Sequence, residues 1–538
     1  MGYAHEYAAA IMQRGRIPME PADFVPDWAD RPRKAKYYPG TQTFPLPESA
    51  YPSRATVAAG CLPGDSANAP GDFTLPALAG MLQDSYGLSG RRLAVQANTD
   101  LAALPHYTQA NWSRGTASGG GLYPVSVYWV MGSSGPYMPG VYHYSPLQHS
   151  MQRLLAGNVT QEVQAALGEE LPADTDQAWA ASDQYLVLGV KYWQNSFKYN
   201  SFSFHAVSMD VGALLQTWRM WARACDMEIA PILWFDEQRL AALLGLNAEE
   251  EGLFAVVPLR WAPAPHTAAV RPSDQDTPCV RRQDQERSRA VIGFDTLYRI
   301  HRATESQAAD RPAPGTLDSC VPAPLAADLG THFLPPATFP PTSVRQALRS
   351  RRSSFGRFDA SAPTTTEQLA ATLGACAAAR LGTDAEPQGP PGLARLYVFV
   401  NHVQDIDSGT YAYDATTHTL RLLSPDAPGS FLQRNYFLSN YNLEQTGAVI
   451  VPTLRTSAVL DAVGDRGYRL VNAAVGAIAQ TFYTAAAALG LGAGVALGFD
   501  NISFVEKLGL DSTGEAPLLI MLLGNERTEP ADFLSEIA

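Results

Sequence analysis

The sequence repeats itself, and this repetition constrains the fold more than any other feature. Residues 211–217 (VGALLQT) match residues 475–481 (VGAIAQT) without gaps at an offset of 264. A second block, residues 140–155 (GVYHYSPLQHSMQRLL), matches residues 409–424 (GTYAYDATTHTLRLLS) at an offset of 269. Two blocks in the same order at nearly equal offsets indicate a tandem duplication of one domain type.

The duplication divides the chain of 538 residues into three parts. We expect an N-terminal domain over residues 1–262 and a C-terminal domain over residues 341–538. Between them, residues 263–340 contain APAPH, SDQDTP, RPAPGT and FLPPATFPPTS, a composition typical of linkers. Residues 281–305 within this linker have the pattern of a helix, which could brace the two domains.

Each copy combines strand patterns with helix patterns. Residues 126–132 (SVYWVMG) and 396–401 (LYVFVN) are short apolar and aromatic runs suited to strands. Residues 206–224 and 470–489 carry apolar side chains at helical spacing on most faces, which predicts buried helices. The predicted fold class is therefore α+β, with two tandem domains of the same kind.

Composition excludes several classes of protein. With 39 Lys and Arg against 52 Asp and Glu the net charge is −13, so we do not expect a nucleic-acid binder, which needs a basic face. The chain has no apolar run of about 18 residues and no apolar signal core at its N-terminus. We therefore expect a cytoplasmic protein without a membrane span. Five scattered cysteines and the lack of HExxH and CxxC motifs predict neither a disulfide framework nor a metal site.

Residues present in only one copy are the candidates for chemistry, because packing preserves both copies while one working site needs only one set. The second copy has Arg351, Arg352 and Ser353 at a predicted helix end, where two guanidinium groups and a hydroxyl can bind a phosphate. It also has the glycine-rich segment 489–501 (LGLGAGVALGFDN), whose backbone can approach a flat ligand. The structural alternative is a solvated basic turn and a plain loop.

The first copy retains a different set. Ser118, Gly119 and Gly120 lie in RGTASGGGLYP, and Lys198 and Tyr199 are adjacent in WQNSFKYNSFSF. A lysine can act as a general base when its surroundings lower its pKa, and an adjacent tyrosine can relay the proton. Here the alternatives are a flexible turn and an exposed lysine beside a packed tyrosine. The two sets are complementary, however, which is what a single composite site at a pseudo-twofold interface predicts.

These segments resemble the nitroreductase-fold, FMN-dependent azoline dehydrogenases of the SagB/ThcOx type, over residues 31–262 and 341–528. The resemblance implies two nitroreductase-like domains paired as an intramolecular pseudo-dimer, with FMN at their interface. Lys198 and Tyr199 match the pair implicated in catalysis in that family. The implied cofactor-binding residues are Arg351, Arg352 and Ser353 at the phosphate, Gly498 and Phe499 beside the isoalloxazine ring, and Ser118, Gly119 and Gly120 from the other domain.

Four positions depart from the family pattern. Ala117 stands where proline is usual, Phe202 and His205 replace arginines, and Phe355 replaces a further basic residue. These departures suit a chain with one working FMN and weaken the case for a second.

The reaction implied by the resemblance is the oxidation of thiazoline or oxazoline rings to thiazoles or oxazoles in a ribosomally made peptide, as in thiopeptide-type pathways. FMN accepts a hydride, Lys198 or Tyr199 accepts the proton, and oxygen then reoxidises the flavin. The implied partners are the azoline-containing peptide and a cyclodehydratase or leader-binding protein, with further homodimerisation left open. Two alternatives remain: an NAD(P)H-dependent nitro or quinone reductase on the same fold, and a non-catalytic, degenerate scaffold of a biosynthetic complex.

Overall fold

The structure of the protein is a computed structural model that describes residues 2–64, 69–96, 106–168, 182–262, 278–325, 329–383, 385–387, 392–527 and 533–537. The described helices are α1 (Tyr3–Gln13), α2 (Val57–Cys61), α3 (Leu75–Ser85), α4 (Thr160–Leu167), α5 (Trp193–Tyr199), α6 (Ser203–Ala224), α7 (Glu237–Leu244), α8 (Asp295–Ser306), α9 (Val344–Ser350), α10 (Thr366–Ala378), α11 (Gly429–Arg434), α12 (Thr456–Val463), α13 (Gly467–Ala488) and α14 (Asn501–Leu508). The described strands are β1 (Thr43–Pro45), β2 (Gly90–Gln96), β3 (His106–Ser113), β4 (Val125–Met131), β5 (Gly140–Ser145), β6 (Ser150–Ala156), β7 (Gln184–Lys191), β8 (Glu251–Pro258), β9 (Thr331–Phe333), β10 (Ala394–Val400), β11 (Gly409–Asp414), β12 (Thr419–Ser424), β13 (Ala448–Leu454), β14 (Gly492–Ala496), β15 (Ala516–Pro517), β16 (Ile520–Gly524) and β17 (Phe533–Glu536).

Two antiparallel sheets have the same strand order. The N-terminal sheet runs β1-β6-β5-β4-β7-β8, and the C-terminal sheet runs β9-β12-β11-β10-β13-β16-β14, with β15 beside β13. Strands β4 and β13 are buried at every position, as expected for strands covered on both faces. The predicted strands at residues 126–132 and 396–401 are confirmed as β4 and β10. The expected mixture of helices and sheets is therefore present in both halves of the chain.

The repeated blocks make the same local contacts. The Tyr144 hydroxyl lies 3.0 Å from Nδ1 of His149, and the Tyr413 hydroxyl lies 2.6 Å from Nδ1 of His418. Both histidines have a positive φ, 44° and 52°, in the turn that joins two neighbouring strands. A tyrosine that fixes an unusual histidine turn explains why these residues persist in both copies.

Helices α6 and α13 pack against each other through two glycines. A Cβ on Gly212 would lie 1.9 Å from the carbonyl oxygen of Ala473, and a Cβ on Gly476 would lie 2.0 Å from that of Met209. The offset of 264 exchanges these two contacts, because it converts Gly212 into Gly476 and Met209 into Ala473. Such a reciprocal contact is expected across a two-fold axis.

A second reciprocal contact lies at the starts of α2 and α9. The amide of Val57 donates to the carbonyl of Thr342 at 2.9 Å, and the amide of Val344 donates to the carbonyl of Ala55 at 3.0 Å. The two segments therefore form an antiparallel pair in which each half supplies the same donor and acceptor.

Helix α13 is long and apolar enough, by length and composition, to cross a membrane, but 94% of its most apolar window is buried inside the protein. Its apolar faces are occupied by α6, α9, α10 and α12. The helical patterns at residues 206–224 and 470–489 are therefore confirmed as the two central core helices.

Each terminus contacts the opposite half of the chain. At the N-terminus, the amide of Ala4 donates to the Asp465 carboxylate at 3.2 Å, and Nε2 of His5 lies 3.0 Å from the Asp461 carboxylate. At the C-terminus, strand β17 pairs with β2 of the N-terminal half.

The segment between the halves is only partly helical. Residues 263–277 and 326–328 of the predicted linker lie outside the described residues. The predicted helix at residues 281–305 is wrong in its first half, since α8 covers Asp295–Ser306 and the preceding residues have no regular structure. Tertiary hydrogen bonds replace helical ones there: the Tyr37 amide donates to the Asp284 carboxylate at 2.7 Å, and the Arg289 amide donates to the Asp30 carboxylate at 2.9 Å.

Candidate active site

The Ser118–Gly120 loop is fixed by a buried carboxylate on α6. The Ser118 hydroxyl donates to Asp210 Oδ2 at 2.6 Å, and the Gly119 amide donates to Asp210 Oδ1 at 2.8 Å. Burial raises the pKa of Asp210 from its ordinary value of 3.8 to about 7, although the two hydrogen bonds oppose the shift. Gly120 has a φ of 64°, which glycine adopts without steric cost.

The predicted catalytic pair lies against this loop. Lys198 and Tyr199 form the last turn of α5, and the Lys198 ammonium lies 4.7 Å from the centre of the Tyr199 ring. A Cβ on Gly120 would lie 2.6 Å from the Tyr199 hydroxyl and 2.8 Å from Nζ of Lys198. The loop and the pair are therefore brought together, and a side chain at residue 120 would displace the Lys198 ammonium and the Tyr199 hydroxyl.

Arg351 connects the C-terminal half to the same loop. Its Nε donates to the carbonyl of Gly115 at 2.9 Å and its Nη2 donates to the carbonyl of Arg114 at 3.1 Å, while its guanidinium lies 5.0 Å from the centre of the Tyr483 ring. From α13, the side-chain oxygen of Gln480 accepts a hydrogen bond of 2.8 Å from the Ala117 amide. Arg351 of the predicted phosphate segment thus meets the residues that lead into the Ser118–Gly120 loop where the two halves join.

The other two members of the arginine segment, Arg352 and Ser353, are held by neighbours in their own half. Arg352 donates to the Glu526 carboxylate at 2.8 Å, and Arg357 donates to the same carboxylate at 3.2 Å. The Ser353 hydroxyl lies 2.8 Å from the Tyr483 hydroxyl. Arg352 and Arg357 therefore converge on one carboxylate in the C-terminal half, and guanidinium groups are the usual partners of a phosphate.

Gly498 and Phe499 lie in a different environment. The carbonyl of Gly498 accepts a hydrogen bond of 2.8 Å from the Phe437 amide. The Phe499 ring is fully buried and packs edge-on against Phe504, with 4.9 Å between ring centres. Within the part of the chain that the structure describes, no hydrogen bond or ring contact joins these two residues to the Ser118–Gly120 loop. Because its ring belongs to the core, Phe499 can face a ligand only through its backbone.

Sequence reasoning missed Asp210, Gln480, Tyr483 and Glu526, which hold the predicted site residues in place. Asp210 had a detectable signal: the offset of 264 places Ala474 opposite it, so it is also a residue present in only one copy. A single carboxylate in an otherwise apolar helix face is a further indication of a specific role.

One buried cluster has the spacing of a metal site but the wrong charge. Ligand atoms of Glu237, His301 and Glu305 lie within 4.8 Å of one another. Arg466 and Arg469 donate to the Glu237 carboxylate at 2.8 and 2.9 Å. Burial by itself raises the pKa of Glu237, but the two cations outweigh burial and lower the pKa from 4.5 to about 2. Two guanidinium groups already neutralise the carboxylate, so the cluster is an ion-pair network between the halves rather than a metal centre.

The residues present fit a flat, phosphorylated cofactor such as FMN. The glycines bring polar side chains close to the backbone: the Tyr199 hydroxyl and Nζ of Lys198 lie against Gly120, and the Tyr441 ring lies against Gly494 in β14. Cationic groups accompany these glycines in the arginine segment. The combination of glycine surfaces and guanidinium groups suits a planar anion.

Comparison with known proteins identifies the fold. Residues 348–525 match the sequence model of the Nitroreductase family, while no curated protein matches the chain. A crystal structure of a candidate nitroreductase from Anabaena variabilis is similar over 98% of this chain and 100% of that chain, with 20% identity and a TM-score of 0.69. That match spans both sheets, so the two-sheet architecture also occurs there as one protein.

Two other structures overlap with smaller parts of the chain. A candidate nitroreductase from Ralstonia eutropha covers 39% of this chain and 95% of its own, with 19% identity and a TM-score of 0.29. The Escherichia coli microcin synthetase McbBCD complex with truncated pro-MccB17 bound covers 33% of this chain and 70% of its own, with 16% identity and a TM-score of 0.29. Overlaps this loose support no inference about function. Residues 348–525 therefore form a Nitroreductase-family domain, and the whole chain has the fold of the Anabaena variabilis structure. Proteins of that family typically bind FMN.

Proposed function

We propose that this chain, whose residues 348–525 form a nitroreductase-family domain, is an FMN-dependent dehydrogenase that oxidises azoline rings in a ribosomally made peptide to azoles. The observation that carries the proposal is the contact of Arg351 with the carbonyls of Arg114 and Gly115. This contact joins the arginine segment of one half to the residues that lead into the Ser118–Gly120 loop of the other, and Gly120 in turn lies against Lys198 and Tyr199.

The site belongs to an intramolecular pseudo-dimer in this proposal. The reciprocal contacts of Gly212 with Ala473 and of Gly476 with Met209 support a two-fold relation between the halves. Two like halves offer two interfaces, and Arg351 of the second half meets the residues before the Ser118–Gly120 loop of the first half at one of them. Asp210, which fixes the glycine loop, has Ala474 as its counterpart, so we assign one site to each chain.

The proposed roles follow from the position of each group. Arg351, Arg352 and Ser353 bind the phosphate of FMN, and the backbones of Ser118–Gly120 and of Gly498-Phe499 face its ring system. When bound, FMN supplies the hydride acceptor for the reaction. Asp210 holds the loop, and Gln480 fixes the loop from the opposite half.

Aromatisation of an azoline removes a hydride and a proton, so the protein must supply a base. Nζ of Lys198 and the hydroxyl of Tyr199 both lie next to Gly120, at the surface where the ring system is proposed to sit. A base has to come within about 3 Å of the carbon-bound proton, and one of these two groups takes that proton in our proposal. The other group orients it through the cation–π contact, in which the Lys198 ammonium lies 4.7 Å from the centre of the Tyr199 ring.

The test is mass spectrometry of an azoline-containing peptide incubated with the purified holoprotein. We expect a flavin absorbance band at about 450 nm and a loss of about 2 Da from the peptide. Lys198→Ala and Tyr199→Phe are compared with Lys507→Ala, a lysine whose described partner is the exposed Asp426 at 3.5 Å. If both site variants retain FMN and oxidise the peptide as fast as Lys507→Ala does, the assignment of the base is wrong.

The family match also favours a second candidate function, an NAD(P)H-dependent nitro or quinone reductase. Rapid bleaching of the flavin band by NADPH, with no change in the azoline peptide, would support the reductase and contradict the dehydrogenase. A purified protein that neither carries nor binds a flavin would contradict both and support a scaffold.

A further inference from the structure

Each half contains a turn of related sequence that leads into a helix. Residues 233–237 (LWFDE) precede α7, and residues 497–501 (LGFDN) precede α14 at the offset of 264. In both turns the aspartate side chain accepts a hydrogen bond from a backbone amide of the helix, which is an N-cap. The second turn contains Gly498 and Phe499 of the proposed FMN site.

An arginine of the opposite half binds the first turn. Nε of Arg466 donates to the carbonyl of Leu233 at 2.7 Å, and its Nη1 donates to the Glu237 carboxylate at 2.8 Å. Its guanidinium also lies 5.0 Å from the centre of the Phe235 ring. The arginine therefore fastens the first and last residues of the turn 233–237 together.

The repeat predicts the same contact for the second turn, but the expected arginine is missing. The counterpart of Arg466 in the first half is Phe202. The place of the missing arginine is taken by Arg14, which follows α1 and lies outside the aligned blocks of the repeat. The Arg14 guanidinium donates to the carbonyl of Leu497 and, at 2.8 Å, to Oδ1 of Asn501. These two acceptors are the counterparts of Leu233 and Glu237.

Arg14 also lies on the residue that replaced the lost arginine. Its guanidinium is 4.8 Å from the centre of the Phe202 ring, within the range of a cation–π contact. The Phe202 ring therefore packs against the guanidinium of Arg14, which comes from a distant part of the sequence.

The charges around the second turn have changed along with the arginine. Glu237 of the first turn binds Arg466 and Arg469, whereas the second turn has neutral Asn501, with His205 in the place of Arg469. All the acceptors described for Arg14 are neutral. Burial accordingly lowers the pKa of Arg14, to about 10, which leaves it charged at neutral pH. One cation without a carboxylate thus faces the turn that contains Gly498.

Helix α1 is anchored so that Arg14 reaches this turn. The Tyr7 hydroxyl donates to the carbonyl of Ser201 at 2.7 Å, and Tyr7 packs edge-on against Tyr468 with 5.4 Å between ring centres. Together with the contact of Ala4 with Asp465, these interactions fix α1 where the two central helices begin. The position of Arg14 therefore depends on both halves.

We propose that Arg14 is a positioning residue, which supplies to the turn 497–501 the guanidinium that Arg466 supplies to the turn 233–237 and thereby fixes the Gly498 backbone at the FMN site. The N-terminal helix thus supplies the arginine that the symmetry-related position 202 lacks. Only the consequence for FMN affinity rests on the proposed function.

The test compares Arg14→Ala, the double variant Arg14→Ala with Phe202→Arg, and the control Arg16→Ala. Arg16 binds the same region from the surface, through the Asp500 carboxylate at 3.2 Å. Two properties are measured on the full-length chain: the hydrogen-exchange rates of the amides of residues 497–501 without flavin, and the dissociation constant of FMN by fluorescence titration.

We expect Arg14→Ala to speed exchange in the turn and to weaken FMN binding, each by about 10-fold, as for the loss of a hydrogen bond to a charged group. The double variant restores both properties, because residue 202 again carries the symmetry-related arginine, and Arg16→Ala changes neither by more than about 2-fold. If Arg14→Ala does not fold, recovery of folding in the double variant supports the proposal.

Unchanged exchange in Arg14→Ala, or a double variant no better than the single one, would overturn the proposal. If the wild-type chain binds no FMN, the proposed function fails, and the exchange rates alone still decide the role of Arg14.

Discussion

The two halves of this protein are alike where α6 and α13 pack against each other and differ beside the Ser118–Gly120 loop. Gly212 and Gly476 are kept in both copies because each backbone approaches the other helix too closely for a side chain. Asp210 and Ala474 occupy equivalent positions close to these glycines on the same two helices, yet only Asp210 holds a loop. Packing therefore preserves the symmetry of the pair, and the chemistry of one site breaks it.

The largest effect, on the free energy of unfolding, is expected from a change in the reciprocal glycine contact between α6 and α13. Gly476→Val places a branched side chain where a Cβ alone would lie 2.0 Å from the carbonyl of Met209. We expect a loss of at least about 4 kcal/mol in the free energy of unfolding, or no folded protein, measured by urea denaturation. Ala487→Gly on the same helix is the control and costs about 1 kcal/mol. A Gly476→Val variant as stable as the control would refute the close packing of α6 and α13.

The glycine loop offers a matched pair of substitutions. Gly120 and Gly121 have nearly equal φ values of 64° and 62°, but a Cβ at residue 120 would collide with Lys198 and Tyr199, whereas one at residue 121 has nothing within 4 Å. Both alanine variants bear the same backbone strain of about 1 kcal/mol. Only Gly120→Ala is expected to lower kcat/KM, by about 100-fold. Equal activities of the two variants would separate the loop from catalysis.

Asp210 gives the protein a pH-dependent stability that its counterpart Ala474 cannot give. Its pKa is raised in the folded state, from 3.8 to about 7, so the folded state binds more protons and stability falls as the pH rises from about 4 to about 7. Asp210→Asn removes this dependence. Between pH 5 and pH 7 we expect the wild type to lose about 2 kcal/mol more than the variant in urea denaturation. Parallel pH profiles would show that Asp210 is ionised in the folded protein.

The smallest of these effects concerns Arg351. Arg351→Lys keeps the charge but loses the two-pronged contact with the carbonyls of Arg114 and Gly115. We expect FMN affinity to fall about 10-fold in a fluorescence titration. Arg349→Lys, which alters a cation that lies 3.8 Å from Asp84, serves as the control. If the two variants bind FMN equally well, Arg351 contributes no more than its charge.

Much of the fold followed from the repeat, because packing preserves apolar patterns in both copies. The strands at residues 126–132 and 396–401 and the two core helices were predicted for this reason. Residues 281–294 were not, because their polar side chains and amides bind Asp30 and Tyr37 far away in the sequence. No local pattern carries that information.

The site was predictable only in part. Comparing the copies found the glycine loop and the arginine segment, and the same comparison at Asp210 would have added the residue that holds the loop. Arg14 could not be found in this way, because it lies outside the aligned blocks and its partner Asn501 is 487 residues away. The sequence showed that Phe202 stands where an arginine is expected. Only the fold showed that Arg14 takes the place of that arginine.

We propose a single FMN site between two similar halves. The most direct test of this proposal is the number of FMN molecules bound by each chain. Native mass spectrometry of the protein reconstituted with excess FMN measures the stoichiometry and the oligomeric state together. We predict one FMN per chain of 538 residues, retained by the single chain because both halves of the site lie within it. Two FMN molecules per chain, or binding that is lost whenever chains separate, would contradict the account.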